Sequence, residues 1–313
     1  MTVKENSVII ITGPTATGKT ALSIQLAKEL ETSIISADSR QCYKELDIGV
    51  AKPTKEELAV VKHYFINSHS ITEDVNAVTF EQYALSAVDE IFKENNVAVM
   101  VGGTGLYIKA FCEGMDEIPH IPQHIRKEVV HQYETYGLAF LQEELKEKNP
   151  AFWMKAEQQN PQRLIRALEV LYATGRSITD FRKNKTTERD FNIIKIGLQL
   201  SKEELHSNIN NRVDLMMQSG LLNEVKALLP YRNYNALQTV GYKELFSYFD
   251  GNITLNEAIE EIKKNTRQYA KRQITWFKKD AGITWFNPSD YYAIKSFVEE
   301  RLKEIKKSTQ LQS

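Results

Sequence analysis

Short, continuous runs of apolar residues alternate with amphipathic segments in the first third of the chain. The runs Ser7–Thr12 and Val97–Val101 are apolar almost throughout, and Ser33–Ser36 is a shorter segment of the same kind. Strands that are apolar on both faces are typical of a parallel sheet covered by helices on both sides. Apolar residues at helical spacing predict a helix over Thr79–Lys93. The pattern therefore predicts an α/β fold.

The pattern changes between residues 117 and 189, where helical periodicities are separated by prolines and glycines and no run resembles a strand. Strand-like runs return at Phe191–Leu198 and at Ile283–Phe286, and the rest is predicted to be mostly helical. We predict an α/β domain of residues 1–116 and 190–313 with a helical C-terminal part. An all-helical domain, residues 117–189, is inserted into it, although this segment also fits a helical linker region.

A glycine-rich loop follows the first predicted strand and precedes a predicted helix. The eight residues have the pattern Gly-x-x-x-x-Gly-Lys-Thr, which is typical of a P-loop in this context. Such a loop directs backbone N–H groups and the positive end of a helix at a phosphate. Its lysine supplies a cation, and its last hydroxyl is placed to hold Mg²⁺. We expect a di- or triphosphate to bind at Gly13, Pro14, Thr15, Ala16, Thr17, Gly18, Lys19 and Thr20.

Composition limits the partners that the chain can have. Its 313 residues carry 40 Lys and Arg against 41 Asp and Glu, a net charge of −1, so any contact with nucleic acid must come from local clusters. The two cysteines, Cys42 and Cys112, allow at most one disulfide and form no zinc-binding pair. No apolar run approaches the ~20 residues of a membrane span, and no secretory segment precedes the first strand, so we expect a cytoplasmic protein.

Two features beside the P-loop bear on the chemistry. Asp38 follows the second predicted strand, where a carboxylate could bind metal, act as a general base or cap a turn. Val97–Val101 ends in Gly102-Gly103-Thr104-Gly105 and lacks the acidic residue that many P-loop ATPases carry there. The glycines allow close approach of a ligand or form a plain turn, and Thr104 offers a hydroxyl. The missing acid weakens an ATPase interpretation.

Basic residues cluster in two places. Seven Lys and Arg against three acids lie between Pro161 and Arg189, with Arg163 and Arg166 on one helix face. Seven more, without an acid, lie between Lys263 and Lys279 among the aromatic residues Tyr269, Trp276 and Phe277. Cations and aromatic rings together suit single-stranded or loop RNA, although a solvated helix face fits each cluster equally well. Arg212 alone would be one more surface arginine, and the six histidines have no spacing typical of a metal site.

Taken together, these blocks resemble the tRNA dimethylallyltransferase family, also called tRNA isopentenyltransferases. The matching motifs are the P-loop, Asp38-Ser39-Arg40-Gln41-Cys42-Tyr43, Asp47-Ile48-Gly49, Gly102-Gly103-Thr104-Gly105-Leu106-Tyr107, Pro161-Gln162-Arg163-Leu164-Ile165-Arg166-Ala167-Leu168-Glu169, Val240-Gly241-Tyr242 and Lys271-Arg272-Gln273-Ile274-Thr275-Trp276-Phe277. They run in the family's order up to about Phe286. One departure is Val50, where the family usually carries threonine.

The resemblance implies transfer of a dimethylallyl group from its diphosphate to N6 of the adenosine immediately 3′ of the anticodon. The P-loop then holds a prenyl diphosphate rather than ATP, with Mg²⁺ bound mostly through the diphosphate and by Thr20. Asp38 is implied as the general base, Arg212 as a ligand of the diphosphate, and Thr104 as a group that steadies one or the other.

The resemblance also implies that the inserted domain binds the anticodon stem-loop of tRNA and that the enzyme is a monomer. The implied RNA contacts are Asp38, Ser39, Arg40, Gln41, Thr104, Arg126, Gln162, Arg163, Leu164, Ile165, Arg166, Lys271, Arg272, Gln273, Trp276 and Lys278. Two alternatives stay open from the residues: a P-loop small-molecule or nucleotide kinase, and a nucleotide-gated RNA-binding module without chemistry.

Overall fold

A parallel six-stranded sheet forms the centre of the α/β part of the computed structural model, which describes residues 4–182 and 186–310 (the side chains of 309 and 310 excepted). Its strands are β1 (Ser7–Thr12), β2 (Ile34–Ser36), β3 (His63–Tyr64), β4 (Val97–Gly102), β5 (Asn192–Leu198) and β6 (Ile283–Phe286). The order in the sheet is β3-β2-β4-β1-β5-β6. The predicted parallel α/β fold is confirmed. The sequence pattern missed β3, because two residues are too few to show a periodicity.

The remaining chain is largely helical. The helices are α1 (Lys19–Glu29), α2 (Lys55–Val60), α3 (Ala77–Ile91), α4 (Gly105–Glu113), α5 (Gln123–Lys148), α6 (Pro150–Trp153), α7 (Pro161–Thr174), α8 (Lys202–Gln218), α9 (Leu221–Ala227), α10 (Tyr242–Phe249), α11 (Leu255–Phe277) and α12 (Tyr291–Gln310). None of the helices that the structure describes has the length and apolar content needed to cross a bilayer.

The continuous apolar strands are buried as their pattern predicts. Every residue of β1 is buried, and its neighbours β4 and β5 pair with it along its full length. The apolar side chains of these strands pack with Leu22 and Leu26 of α1 and with Ile294 and Val298 of α12. This packing against helices fixes the positions of the strand ends. The candidate site lies at those ends.

The chain divides into two compact units. Unit 1 comprises residues 1–114 and 188–313 and contains the sheet, and unit 2 comprises residues 115–187. Unit 2 consists of helices α5 to α7, and its own apolar core includes Leu141, Leu164 and Leu168. Two lysines of the first basic cluster, Lys183 and Lys185, lie outside the described residues.

Candidate active site at the carboxyl ends of the strands

Three loops converge at one edge of the sheet because of the strand order. The P-loop follows β1, the turn with Asp38 follows β2, and the loop with Thr104 follows β4, which lies between the other two strands. The carboxyl ends of parallel strands are where open α/β sheets bind their ligands. The topology therefore places the three chemically richest loops of unit 1 next to one another.

The P-loop wraps around one of its own carbonyl groups. The Pro14 carbonyl accepts a hydrogen bond from Lys19 Nζ at 2.6 Å and another from Thr17 Oγ1 at 2.8 Å. Gly18 stands before the first residue of α1 with φ 79°, and the first amide groups of a helix have no acceptor within the helix. The loop therefore offers a cation and helix amides on one side, as an anion site requires.

Two cations of this site lack an acidic partner. Neither Lys19 nor Arg212 of α8 forms an ion pair in the part of the chain that the structure describes, and one Arg212 amino group lies 3.4 Å from Thr15 Oγ1. Burial and the nearby Arg212 guanidinium lower the pKa of Lys19 to about 7, while the Asp38 carboxylate acts in the opposite direction. Burial also lowers the pKa of Arg212. Such a pair is unfavourable until an anion neutralises it.

Asp38 uses one carboxylate oxygen to shape its own turn. Asp38 Oδ1 accepts hydrogen bonds from the backbone N–H groups of Arg40 at 2.8 Å and Gln41 at 3.3 Å. No hydrogen bond to Oδ2 occurs within the described residues. The capping interpretation is thus correct for one oxygen, and the role of Asp38 as a base stays a prediction.

Thr104 connects the loop after β4 with the turn that carries Asp38. Its hydroxyl oxygen accepts a hydrogen bond from Ser39 N at 3.1 Å. A side chain at Gly102 would place Cβ 2.2 Å from the Ala37 carbonyl oxygen, so only glycine permits this approach of the two loops. The sequence offered a ligand or a plain turn as reasons for the glycine pair, and the structure shows that the chain's own backbone approaches Gly102.

Gln273 of α11 joins two of these loops. Its Oε1 accepts a hydrogen bond from Thr15 N at 2.9 Å, and its Nε2 donates to the Gly103 carbonyl at 2.9 Å. The side chain is buried and both of its polar groups are used within the chain. Gln273 therefore holds the P-loop against the loop after β4, and its contact with RNA stays a prediction.

Two cavities meet at this edge of unit 1. One, of about 90 Å³, is lined by the P-loop, and the other, of about 480 Å³, extends toward α10 and α11. The residues that line both cavities are Thr15, Asp38, Val50, Ala51, Arg212 and Tyr269. The position where the two cavities meet is the place where a phosphate ester and a second substrate could react.

Tyr269 is the aromatic residue at this junction, and sequence reasoning gave it no role of its own. Burial and then the Asp38 carboxylate raise the pKa of Tyr269 to about 12, while Arg40, Arg272 and a hydrogen bond with Thr104 act in the opposite direction. It therefore lies among the groups of the site. The only sequence signal was its place among the basic residues of α11.

The oxygen ligands around the P-loop fit Mg²⁺. The Thr20 hydroxyl and the Asp38 carboxylate line the same small cavity, and both are hard oxygen donors. No cluster of three or more His, Cys, Asp or Glu that could hold a metal occurs among the described residues. A magnesium ion here would take most of its ligands from a bound phosphate and from water.

The other predicted RNA contacts of unit 1 differ in their availability. Arg40 lines the larger cavity and donates to the Asn235 carbonyl at 2.9 Å, and Ser39 lines the same cavity. The Gln41 side chain is bonded to Ser36, Val50 and Ala51. The exposed members on or just after α11 are Lys271, Arg272, Trp276 and Lys278.

The predicted contacts of unit 2 lie on and around α7. Arg126 and Arg166 both bind the buried Glu169 carboxylate, at 3.1 Å and 3.2 Å, and Arg163 pairs with Glu157 at 3.0 Å. Gln162 is exposed. The side chains of the remaining two belong to the apolar core of unit 2: Leu164 and Ile165. Any RNA contact by these two would therefore use their backbone.

Comparison with known proteins shows the family to which the chain belongs. The model of the IPP transferase family matches residues 41–280. The chain belongs to this family. A tRNA dimethylallyltransferase of Cytophaga hutchinsonii is 46% identical over 297 residues, which cover 95% of this chain and 98% of the relative. One of Christiangramia forsetii is 50% identical over 281 residues, covering 90% and 93%.

Solved structures of IPP transferase relatives agree with the fold. The tRNA isopentenylpyrophosphate transferase of Bacillus halodurans is 36% identical, with a TM-score of 0.72, and the match covers 97% of this chain and 99% of that one. A eukaryotic dimethylallyltransferase acting on tRNA is 26% identical, with a TM-score of 0.76, covering 95% and 77%. The resemblance found in the sequence motifs is confirmed at the level of the family.

Proposed function

We propose that the chain transfers a dimethylallyl group from dimethylallyl diphosphate to N6 of the adenosine on the 3′ side of the anticodon in tRNA. Family membership and the names of the relatives support the class of reaction. The structural observation that carries the proposal is the pair of cations Lys19 and Arg212, which line one cavity with Asp38 and have no ion-pair partner within the described residues. A diphosphate would neutralise both.

The reaction needs two kinds of assistance. As the bond between C1 of the allyl group and its diphosphate oxygen breaks, the electron pair leaves with the diphosphate, and positive charge spreads over the allyl carbons. Lys19, Arg212 and the first amides of α1 stabilise the charge on the leaving diphosphate. Mg²⁺, which the diphosphate and the Thr20 hydroxyl would hold, would supply further positive charge.

The acceptor amine needs a base. The lone pair of an exocyclic adenine amine is delocalised into the ring, so N6 attacks C1 readily only if its proton is removed as the new bond forms. The free oxygen of Asp38 accepts this proton, and Thr104 holds the turn on which Asp38 stands. One C–O bond breaks, one C–N bond forms, and one proton moves to Asp38, so the step needs no further reactant.

The RNA must present a flipped base. Taking the adenosine out of its stack costs a few kcal/mol, and less in an irregular loop. We propose that the exposed basic residues of α11 and the arginines of unit 2 bind the anticodon arm, since cations positioned on phosphates supply most of such affinity. We further propose that the enzyme acts as a cytoplasmic monomer.

Product analysis tests this proposal. Purified protein and Mg²⁺ are incubated with unmodified tRNA and dimethylallyl diphosphate, or with ATP instead, and digested nucleosides are examined by mass spectrometry. We expect one dimethylallyl group on the adenosine beside the anticodon. In an Asp38→Ala variant, turnover should fall by about a hundredfold or more and tRNA affinity by far less. ATP consumption without prenylation would instead indicate a kinase, and a pure affinity loss would refute the base.

A further inference from the structure

One wall of the site is the short segment of residues 48–51, which we call the wall segment. It contains the 3₁₀ turn Ile48–Val50 and ends at Ala51, whose φ is 49°. Val50 and Ala51 line both the P-loop cavity and the larger cavity. A donor held by the P-loop would therefore lie beside this segment.

One carboxylate from a distant part of the sequence holds the wall segment. Glu224 of α9 accepts hydrogen bonds from Ile48 N at 2.7 Å through Oε2 and from Gly49 N at 3.0 Å through Oε1. A carboxylate that accepts two backbone N–H groups forms charge-assisted bonds, which are about twice as strong as neutral ones. Glu224 itself lines none of the cavities described above.

Tyr242 completes this arrangement from α10. Its hydroxyl donates to Glu224 Oε1 at 2.5 Å, and its ring is fully buried. Burial and the neighbouring Glu224 carboxylate raise the pKa of Tyr242, so the phenol stays a proton donor. A Cβ at Gly49 would lie 2.6 Å from this ring, so the wall segment rests directly on the tyrosine. The motifs Asp47-Ile48-Gly49 and Val240-Gly241-Tyr242 are thereby parts of one contact.

The opposite side of the wall segment is bound by the turn that carries Asp38. Gln41 Nε2 donates to the Ala51 carbonyl at 3.0 Å and to the Val50 carbonyl at 3.3 Å. The segment is thus held from two sides, by Glu224 on its amides and by Gln41 on its carbonyls. Removing the Glu224 bonds would free one side only and would move the wall relative to Asp38.

We propose that Glu224 is a positioning residue for the prenyl donor: with Tyr242 it fixes the wall segment so that the reacting carbon lies at a set distance from Asp38. This inference rests on the proposed function. It assigns to Glu224 an effect on use of the donor and none on tRNA affinity, because the contacts of Glu224 are with the wall segment and Tyr242.

The test compares Glu224→Gln with Glu257→Gln. Glu257 also accepts a backbone N–H, from Thr254 at 2.7 Å, but it is exposed at the start of α11 and lines none of the cavities described above. We expect Glu224→Gln to lower kcat/KM for dimethylallyl diphosphate by about ten- to a hundredfold, since a misplacement of ~1 Å can cost about a hundredfold. A raised KM for the donor, unchanged tRNA affinity and a normal Glu257→Gln variant would support the proposal.

Two further variants keep the test informative. Tyr242→Phe removes only the hydroxyl, so we expect a smaller change in the same direction. Gly49→Ala places a Cβ against the Tyr242 ring, displaces the wall segment and should also raise the KM for the donor. A merely structural role would lower only the fraction of active enzyme, so kcat per active site, with that fraction measured by titration, and KM would both stay at the wild-type values. That result would overturn the inference, whereas a wild-type protein without transferase activity would instead refute the proposed function.

Discussion

The cations of the two units differ in whether the chain itself neutralises them. In unit 1, Lys19 and Arg212 share a cavity and have no ion-pair partner among the described residues. In unit 2, Arg126 and Arg166 are both bound to the buried Glu169, and Arg163 is paired with Glu157. Counts of charged residues do not show this difference. It distinguishes a site whose cations have no acidic partner from a surface whose arginines are paired with acids.

The difference has consequences for recognition. Two partly buried cations without a counterion raise the energy of the site, and the proposed diphosphate would remove that cost. Arg126, Arg163 and Arg166 of unit 2 are already paired, so a phosphate must compete with a carboxylate for them. We therefore expect substitution at the P-loop to affect turnover and substitution in unit 2 to affect stability and RNA affinity.

The largest expected effect is at the unpaired cations. Lys19→Met should lower turnover by about a hundred- to a thousandfold, as removal of one group that stabilises a developing anion does elsewhere. Single-turnover transfer to tRNA measures this, with tRNA affinity measured separately as the control. Wild-type turnover in Lys19→Met would show that the P-loop cation is dispensable. The proposed difference between the cations of the two units would then be wrong.

Substitution of the paired arginines should lower the stability of unit 2. The double variant Arg126→Met with Arg166→Met leaves Glu169 as a buried carboxylate without a cation, which costs about 3–5 kcal/mol. Native-state hydrogen exchange of the α7 amides reports this for unit 2 alone. Adding Glu169→Leu should restore much of the protection. If the double variant keeps full protection, Glu169 is not the centre of a structural ion network.

The pH dependence of donor binding tests the lowered pKa of Lys19. Its pKa of about 7 means that the amine is mostly neutral in weakly alkaline solution, and a bound diphosphate raises that pKa. Donor binding must then take up a proton above pH 7, so affinity should fall by about tenfold per pH unit there and level off below. Calorimetric titration of a non-reactive donor analogue measures this. The same slope in Lys19→Met would assign the titration to another group.

The smallest expected effect belongs to Arg163. Its pair with Glu157 is exposed, and such pairs contribute about 0–1 kcal/mol, so Arg163→Gln should leave stability almost unchanged. If this arginine contacts a phosphate, the slope of log affinity against log salt for tRNA should fall by about one. An unchanged slope would mean that Arg163 is a solvated surface residue.

Features that depend on residues close together in the sequence could be predicted from it. Features that depend on residues far apart in the sequence could not. The P-loop and the buried strands depend on local pattern, so their positions agree closely with the structure. Gln273 resembles any polar residue of a basic helix, and only the fold brings its amide to Thr15, 258 positions away. Glu224 lies 176 positions from Ile48, and no periodicity connects them.

The pairing of charges is another feature that only the fold shows. Arg163, Arg166 and Arg176 of the first basic cluster pair with Glu157, Glu169 and Asp180, and contact of this cluster with RNA stays a prediction. Asp38 shows the opposite case, because a cap and a base need the same residue type and the sequence could not separate them. The hydrogen bonds of one oxygen show the cap, and the role as a base is left to the second oxygen in our proposal.

The most direct measurement is binding of dimethylallyl diphosphate to the wild-type protein and to Arg212→Gln, with Mg²⁺ present and ATP as competitor. We predict that the prenyl diphosphate binds and that ATP displaces it poorly. Arg212→Gln should weaken binding by about tenfold or more, because it removes a charge-assisted contact. Strong displacement by ATP together with unchanged affinity in Arg212→Gln would contradict this prediction.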